Sequence, residues 1–149
     1  MTVRVQTVDF DAGFELNQLR LQSHNVGALV SFIGQVRDLN EGENVTSLTL
    51  EHYPEMTEKA LLAIVEKAKA NWNIVDALVI HRVGTLKPTE QIVLVAVTSS
   101  HRGEAFHACE FIMDYLKTEA PFWKKEHGET GSRWIEAKTA DIDAKLRWQ

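Results

Sequence analysis

Three stretches of this chain carry residues whose types and spacing could do chemistry. In Thr98 to Phe106 (TSSHRGEAF) a β-branched run ends, a hydroxyl-rich turn follows, and a helix begins with His101 and Arg102 in its opening turn. The first N–H groups of a helix lack intrahelical partners and the dipole adds partial positive charge there, so an anion is favoured. Two cations in that turn oppose the dipole unless an anion lies between them; an exposed pair tolerated at small cost is the plainer reading. In Phe111 to Glu126 (FIMDYLKTEAPFWKKE), Lys117 follows Leu116 at the edge of an apolar helical face. Lys117 and Lys124 flank the aromatic knuckle Pro121-Phe122-Trp123. Partial burial would depress the Lys117 amine and make it a better nucleophile or proton shuttle. A lysine whose stem merely covers core surface fits the same pattern. In Gly34 to Arg37 (GQVR) a guanidinium at a strand end can clamp a phosphate with two N–H groups, or it is an ordinary surface arginine. Leu50 to Pro54 (LEHYP) places polar and aromatic groups at a strand-to-helix junction, a corner more than a site.

These groups need a scaffold. Asp11 can cap a helix to about Ser23, with Phe14, Leu16, Leu19 and Leu21 available for burial. Val26 to Arg37 and Val45 to Tyr53 read as strands, separated by a polar loop, Asp38 to Asn44. Pro54 and Thr57 open a helix whose Thr57, Leu61, Ile64, Val65, Ala68 and Trp72 share a face. Ile74 to Val83 and Gln91 to Ser99 are further strands, joined by a turn with Gly84 and Pro88. A helix from Arg102 to Glu119 carries Phe106, Cys109, Ile112, Met113 and Leu116 at helical spacing and ends at Pro121. Trp134 to Ala137 can add a short strand. Strands arriving in pairs predict an α+β fold, with a largely antiparallel sheet and packed helices in one domain over 1–149.

Bulk composition narrows the function classes. The 149 residues carry a formal net charge of −5, which argues against nucleic-acid binding. Arg37, Arg102, Lys117, Lys124, Lys125 and Arg133 nevertheless lie near the segments above, and a cationic pocket on an acidic protein suits a small anionic ligand. No stretch approaches a membrane span, and Met1 to Phe10 lacks the apolar core of a signal peptide, so the cytoplasm is expected. The single cysteine, Cys109, lies in an apolar stripe and reads as a core residue. The six histidines show no ligand spacing, and no Gly-rich phosphate loop, HExxH or GxSxG occurs. Neither a metal nor a cofactor is expected.

Six segments, in order, resemble the large-subunit family of molybdopterin synthase. They are Gly27 to Arg37, Leu48 to Pro54, Met56 to Ala60, Ile80 to Gly84, Thr98 to Arg102 and Phe111 to Glu126. The likeness runs from about Gly27 to Ala137; the first two dozen residues and the tail 141–149 contribute little. It implies an α+β sulfurtransferase that converts cyclic pyranopterin monophosphate into the molybdopterin dithiolene, in molybdenum cofactor biosynthesis. Sulfur would arrive as a thiocarboxylate on the C-terminal Gly-Gly of a small ubiquitin-like subunit, whose tail threads into a pocket. The implied assembly is a homodimer of large subunits with a small subunit at each outer end, a heterotetramer. The family's essential lysine falls on Lys117 and its second on Lys124. Substrate-binding positions fall on Gln35, Val36, Arg37, His101, Arg102, Lys117, Lys124, Lys125 and Glu126. Gln35 stands where some relatives carry lysine. The tail channel is expected to be floored by Phe122 and Trp123, with the Asp38–Asn44 loop ordering on binding. A non-catalytic receptor for a ubiquitin-like tail is the rival from another class.

Overall fold

The computed structural model describes residues 1–40, 43–129, 131–135 and 138–149. Thirteen elements follow one another: β1 (Thr2–Gln6), α1 (Ala12–Arg20), β2 (Ala28–Gln35), β3 (Leu39–Asn40), β4 (Glu43–His52), α2 (Met56–Asn71), β5 (Ile74–Arg82), β6 (Gly84–Leu86), β7 (Gln91–Ser99), α3 (Arg102–Glu119), β8 (Phe122–Gly128), β9 (Gly131–Ile135) and α4 (Thr139–Leu146). The architecture is α+β and largely antiparallel, as the pairing of strands along the chain predicts. Among the described residues no helix is long and apolar enough to cross a membrane.

One sheet has the order β1-β5-β7-β2, the other β3-β4-β8-β9 with β6 on the opposite edge of β4 from β8. In the first sheet the β5 and β7 rows alternate strictly. Ala77, Val79, Val93, Val95 and Val97 face α2 and α3, while Leu78, Ile80, Leu94 and Ala96 face α1. A strand buried on both faces reads as a continuous apolar run, which is why the two central strands were plain in sequence. α2 buries Thr57, Leu61, Ile64, Val65 and Ala68, the face expected from spacing. α3 buries Ala105, Ala108, Cys109, Ile112 and Leu116 along one stripe. Fully burying Ile112 or Phe111 contributes about 2 kcal/mol each.

Several expectations change. β1 was not anticipated as a strand; it pairs parallel to β5, with Val3 and Val5 packed on the α2/α3 side. α1 is capped by Asp11, whose side chain accepts from the Phe14 N–H at 3.0 Å, but it ends at Arg20, and Phe14 and Leu21 are exposed. Phe106 is exposed as well, one residue off the buried stripe of α3. The Asp38–Asn44 segment is not all loop: β3 pairs with the start of β4 through Leu39↔Asn44 and Asn40↔Glu43. Glu41 and Gly42, the centre of that segment, lie outside the described residues. The last hairpin is β8–β9, not a single strand at Trp134–Ala137; β9 ends at Ile135, and Glu136 and Ala137 also lie outside the described residues.

Five connections cross between the sheets, and three of them bear on the site. β5 runs into β6 through Gly84, whose φ of +95° is readily adopted only without a side chain. β2 passes to β3 through Val36 and Arg37. α3 passes to β8 through Ala120 and Pro121. Ala120 is extended, as a residue before proline prefers, and that ends the helix. The Leu50–Pro54 corner is structural: buried Thr57 accepts from the Tyr53 N–H and donates to the Pro121 carbonyl, each at 3.1 Å. Chemistry-bearing residues therefore collect at the seam between the sheets.

Candidate active site

At that seam two cavities of about 340 Å³ and 360 Å³ adjoin. Gln35, Arg37, Lys117, Phe122 and Lys124 line both, so the two lysines stand between them. The first cavity is the more open and has Glu126, Lys138 and Asp141 in its lining. The second is more enclosed and more apolar, with Phe32, Ile33, His81, Ile92, Val93 and Leu116 in its walls.

Each residue is placed by a local cause. The β2–β7 register slips between Gly34 and Gln35, a bulge that re-aims the strand end. Gln35 and Arg37 then line both cavities, while Val36, 4% exposed and packed in the core of the second sheet, lines the first. Both backbone groups of Val36 are used: its N–H donates to the Glu90 carbonyl and its carbonyl accepts from the Thr89 N–H. Val36 therefore anchors its neighbours. Lys117 extends from the last turn of α3, where the dipole favours a cation, and is exposed rather than partly buried. Along β8 the side chains alternate. Phe122, Lys124 and Glu126 face inward, whereas Trp123 packs edge-on to Tyr53 at 5.1 Å and Lys125 lies over the Trp134 ring at 5.3 Å.

That alternation corrects two expectations. Trp123 does not floor the cavities; Phe122 alone does. Lys125 faces away from both. Glu126 is 7% exposed and pairs with Arg133 at 3.3 Å. The expected lysine depression falls on Lys124. Burial, reinforced by a hydrogen bond and positive charge from Lys117, pushes its amine down to about 8, against the raising effect of Asp141.

His101 and Arg102 are exposed at the opposite end of α3 from Lys117. Fifteen residues of helix separate them, roughly 22 Å. One chain does not bring this pair to the lysines. Sequence reasoning also missed three residues. Lys138 and Asp141 reach the first cavity from the start of α4, a segment whose sequence pattern is weak. His81 closes the second cavity, and its only signal was a polar residue inside an apolar strand. Cys109 is a core residue, its thiol pushed up to about 12 by burial. Among the described residues no group of three His, Cys, Asp or Glu side chains could hold a metal ion.

The likeness to known proteins now has a geometry to meet. The family model described as MoaE protein matches residues 5–119. A molybdopterin synthase catalytic subunit of Ralstonia nicotianae is 60% identical over 99% of this chain and 84% of its own length. A molybdopterin biosynthesis MoaE protein of Burkholderia ambifaria superposes with a TM-score of 0.85 at 53% identity, covering 99% of this chain and 97% of that one. The crystal structure of molybdopterin synthase from Staphylococcus aureus aligns with a TM-score of 0.83 at 31% identity, covering 89% of this chain and 96% of that one. A seam that sets paired lysines and an arginine between two cavities thus sits on a shared scaffold, and the chain belongs to the MoaE family of molybdopterin synthase catalytic subunits.

Proposed function

We propose that this chain transfers sulfur from the C-terminal thiocarboxylate of a small ubiquitin-like carrier to cyclic pyranopterin monophosphate, giving the molybdopterin dithiolene. One observation carries the reading: Lys117 and Lys124 both line the wall shared by two adjoining cavities. Two cavities suit two reactants. The more open one suits an extended Gly-Gly tail, which has no side chains to clash in a channel. The enclosed apolar one suits a flat heterocycle. A receptor that only held a tail would need neither the second cavity nor a depressed amine.

In this reading the thiocarboxylate sulfur bonds to a side-chain carbon of the pterin as the carbon–oxygen bond there breaks, and water then attacks the resulting acyl thioester, so that the carrier leaves as a carboxylate and the sulfur stays on the pterin. Lys117 steers and stabilises charge at the acyl-sulfur centre. Lys124, poised near neutral pH, passes the proton that the leaving oxygen takes. Each carrier brings one sulfur, so a dithiolene needs two. Arg37, exposed and lining both cavities, holds the phosphate. Arg37→Ala is expected to weaken precursor binding about tenfold or more and to flatten its salt dependence, read by titration at two ionic strengths.

His101 and Arg102 contribute to the same site only if a second copy of the chain supplies them across a dimer, the assembly that the resemblance implies. The reaction itself is tested by incubating the chain with the precursor and inorganic sulfide, with and without thiocarboxylated carrier. Dithiolene is expected only with the carrier. Efficient formation at low sulfide without it would overturn the proposal.

A further inference from the structure

The α2/α3-facing row of β5 reads Ala77, Val79, His81: an imidazole stands where the pattern calls for another aliphatic side chain. His81 is 2% exposed, yet it lines the enclosed cavity with Lys117 and Lys124. Its Nδ1 lies 2.8 Å from the Arg82 carbonyl oxygen. A carbonyl can only accept, so Nδ1 carries the hydrogen and the neutral ring leaves Nε2 bare. Phe122 stacks on the ring at 3.8 Å and 17°, which fixes its plane. Burial keeps the ring neutral, pushing its pKa down to about 3, with the charges of Lys124 and Lys117 adding to the effect.

Among the described residues Nε2 makes no hydrogen bond, and it is not one of their sealed, unpartnered polar atoms. It therefore opens on the cavity. The other polar side chains there are Gln35, Arg37, Lys117 and Lys124, all rich in N–H donors. Against that background a bare imidazole nitrogen is repelled by a phosphate or thiocarboxylate oxygen and is satisfied by a neutral N–H. We propose that His81 is a substrate-binding residue whose Nε2 accepts a hydrogen bond from an N–H on the edge of the pterin ring. The proposal rests on the synthase reading above and on the pterin occupying the enclosed cavity.

A pair of variants separates this role from a structural one. The side-chain amide of Asn reaches about as far as Nδ1 and can still bond the Arg82 carbonyl, but it ends short of the cavity. The amide oxygen of Gln reaches about as far as Nε2. In the full chain, His81→Asn should raise the precursor Kd and KM about tenfold while the KM for thiocarboxylated carrier stays within about twofold. His81→Gln should recover precursor affinity to within about threefold of the parent. Precursor binding is read from pterin fluorescence, with melting curves run on both variants. Unchanged precursor affinity in His81→Asn overturns the proposal. So does a loss falling on the carrier, a loss confined to kcat, or a His81→Gln variant no better than His81→Asn. Failure of the parent chain to bind precursor would instead sink the synthase reading, independently of His81.

Discussion

Lys117→Ala is expected to lower dithiolene formation by about three orders of magnitude while leaving the fold nearly untouched. The side chain leaves the last turn of α3 and is exposed, so its removal takes little packing with it. Losing an ammonium at a helix C-terminus costs less than about 1 kcal/mol, a melting shift of a few degrees at most. Activity carries the loss, because Lys117 brings its charge from α3 to both cavities, opposite Lys124. Single-turnover dithiolene formation with thiocarboxylated carrier, alongside a melting curve, checks both halves. Near-normal turnover would remove Lys117 from the chemistry.

The second large effect lies at Lys124. Replacement by Ala should cost about two to three orders of magnitude in turnover, and the pH profile should report why. The Lys124 amine sits at about 8, below its ordinary value, so its protonated fraction falls tenfold per pH unit above that point. A proton donor of this kind gives kcat/KM a descending limb with a midpoint near pH 8. Bound precursor brings negative charge, which favours the ammonium, so the kcat limb must lie at higher pH than the kcat/KM limb. Lys117→Ala removes a neighbouring positive charge and should move the residual limb upward in pH as well. A profile flat from pH 6.5 to 9.5, or a kcat limb below the kcat/KM limb, would exclude Lys124 as the titrating group.

Legibility in the sequence followed burial. α2 and α3 showed themselves because Leu61, Ile64, Val65 and Ala68, then Ala108, Ile112 and Leu116, repeat at the helical period and all face one core. β5 and β7 showed themselves as apolar runs. β8 stayed hidden because its inward row is Phe122, Lys124, Glu126 and its outward row begins with Trp123. Charge points in and an aromatic points out, the reverse of the strand pattern, at the place where the site needs charge inside. β1 stayed hidden because its partner, β5, lies more than seventy residues away in sequence and the pairing is parallel. Among site residues, Arg37, Lys117 and Lys124 stand next to turns and aromatics that mark them. His81, Lys138 and Asp141 join them only through the fold, from β5 and from the start of α4.

The length of α3 has a genetic corollary. One helix carries Lys117 at its end and Arg102 at its start, too far apart for one site to use both. If each site draws its lysine from one copy and its arginine from the other, two inactive alleles can repair each other. A dimer of one Lys117→Ala chain and one Arg102→Ala chain concentrates both defects in one site and leaves the other whole. Co-expressing the two alleles at equal levels should then restore about a quarter of all sites, since roughly half of randomly paired dimers are mixed. Pairing Lys117→Ala with Lys124→Ala should restore none in the same way, because those residues sit side by side in one chain.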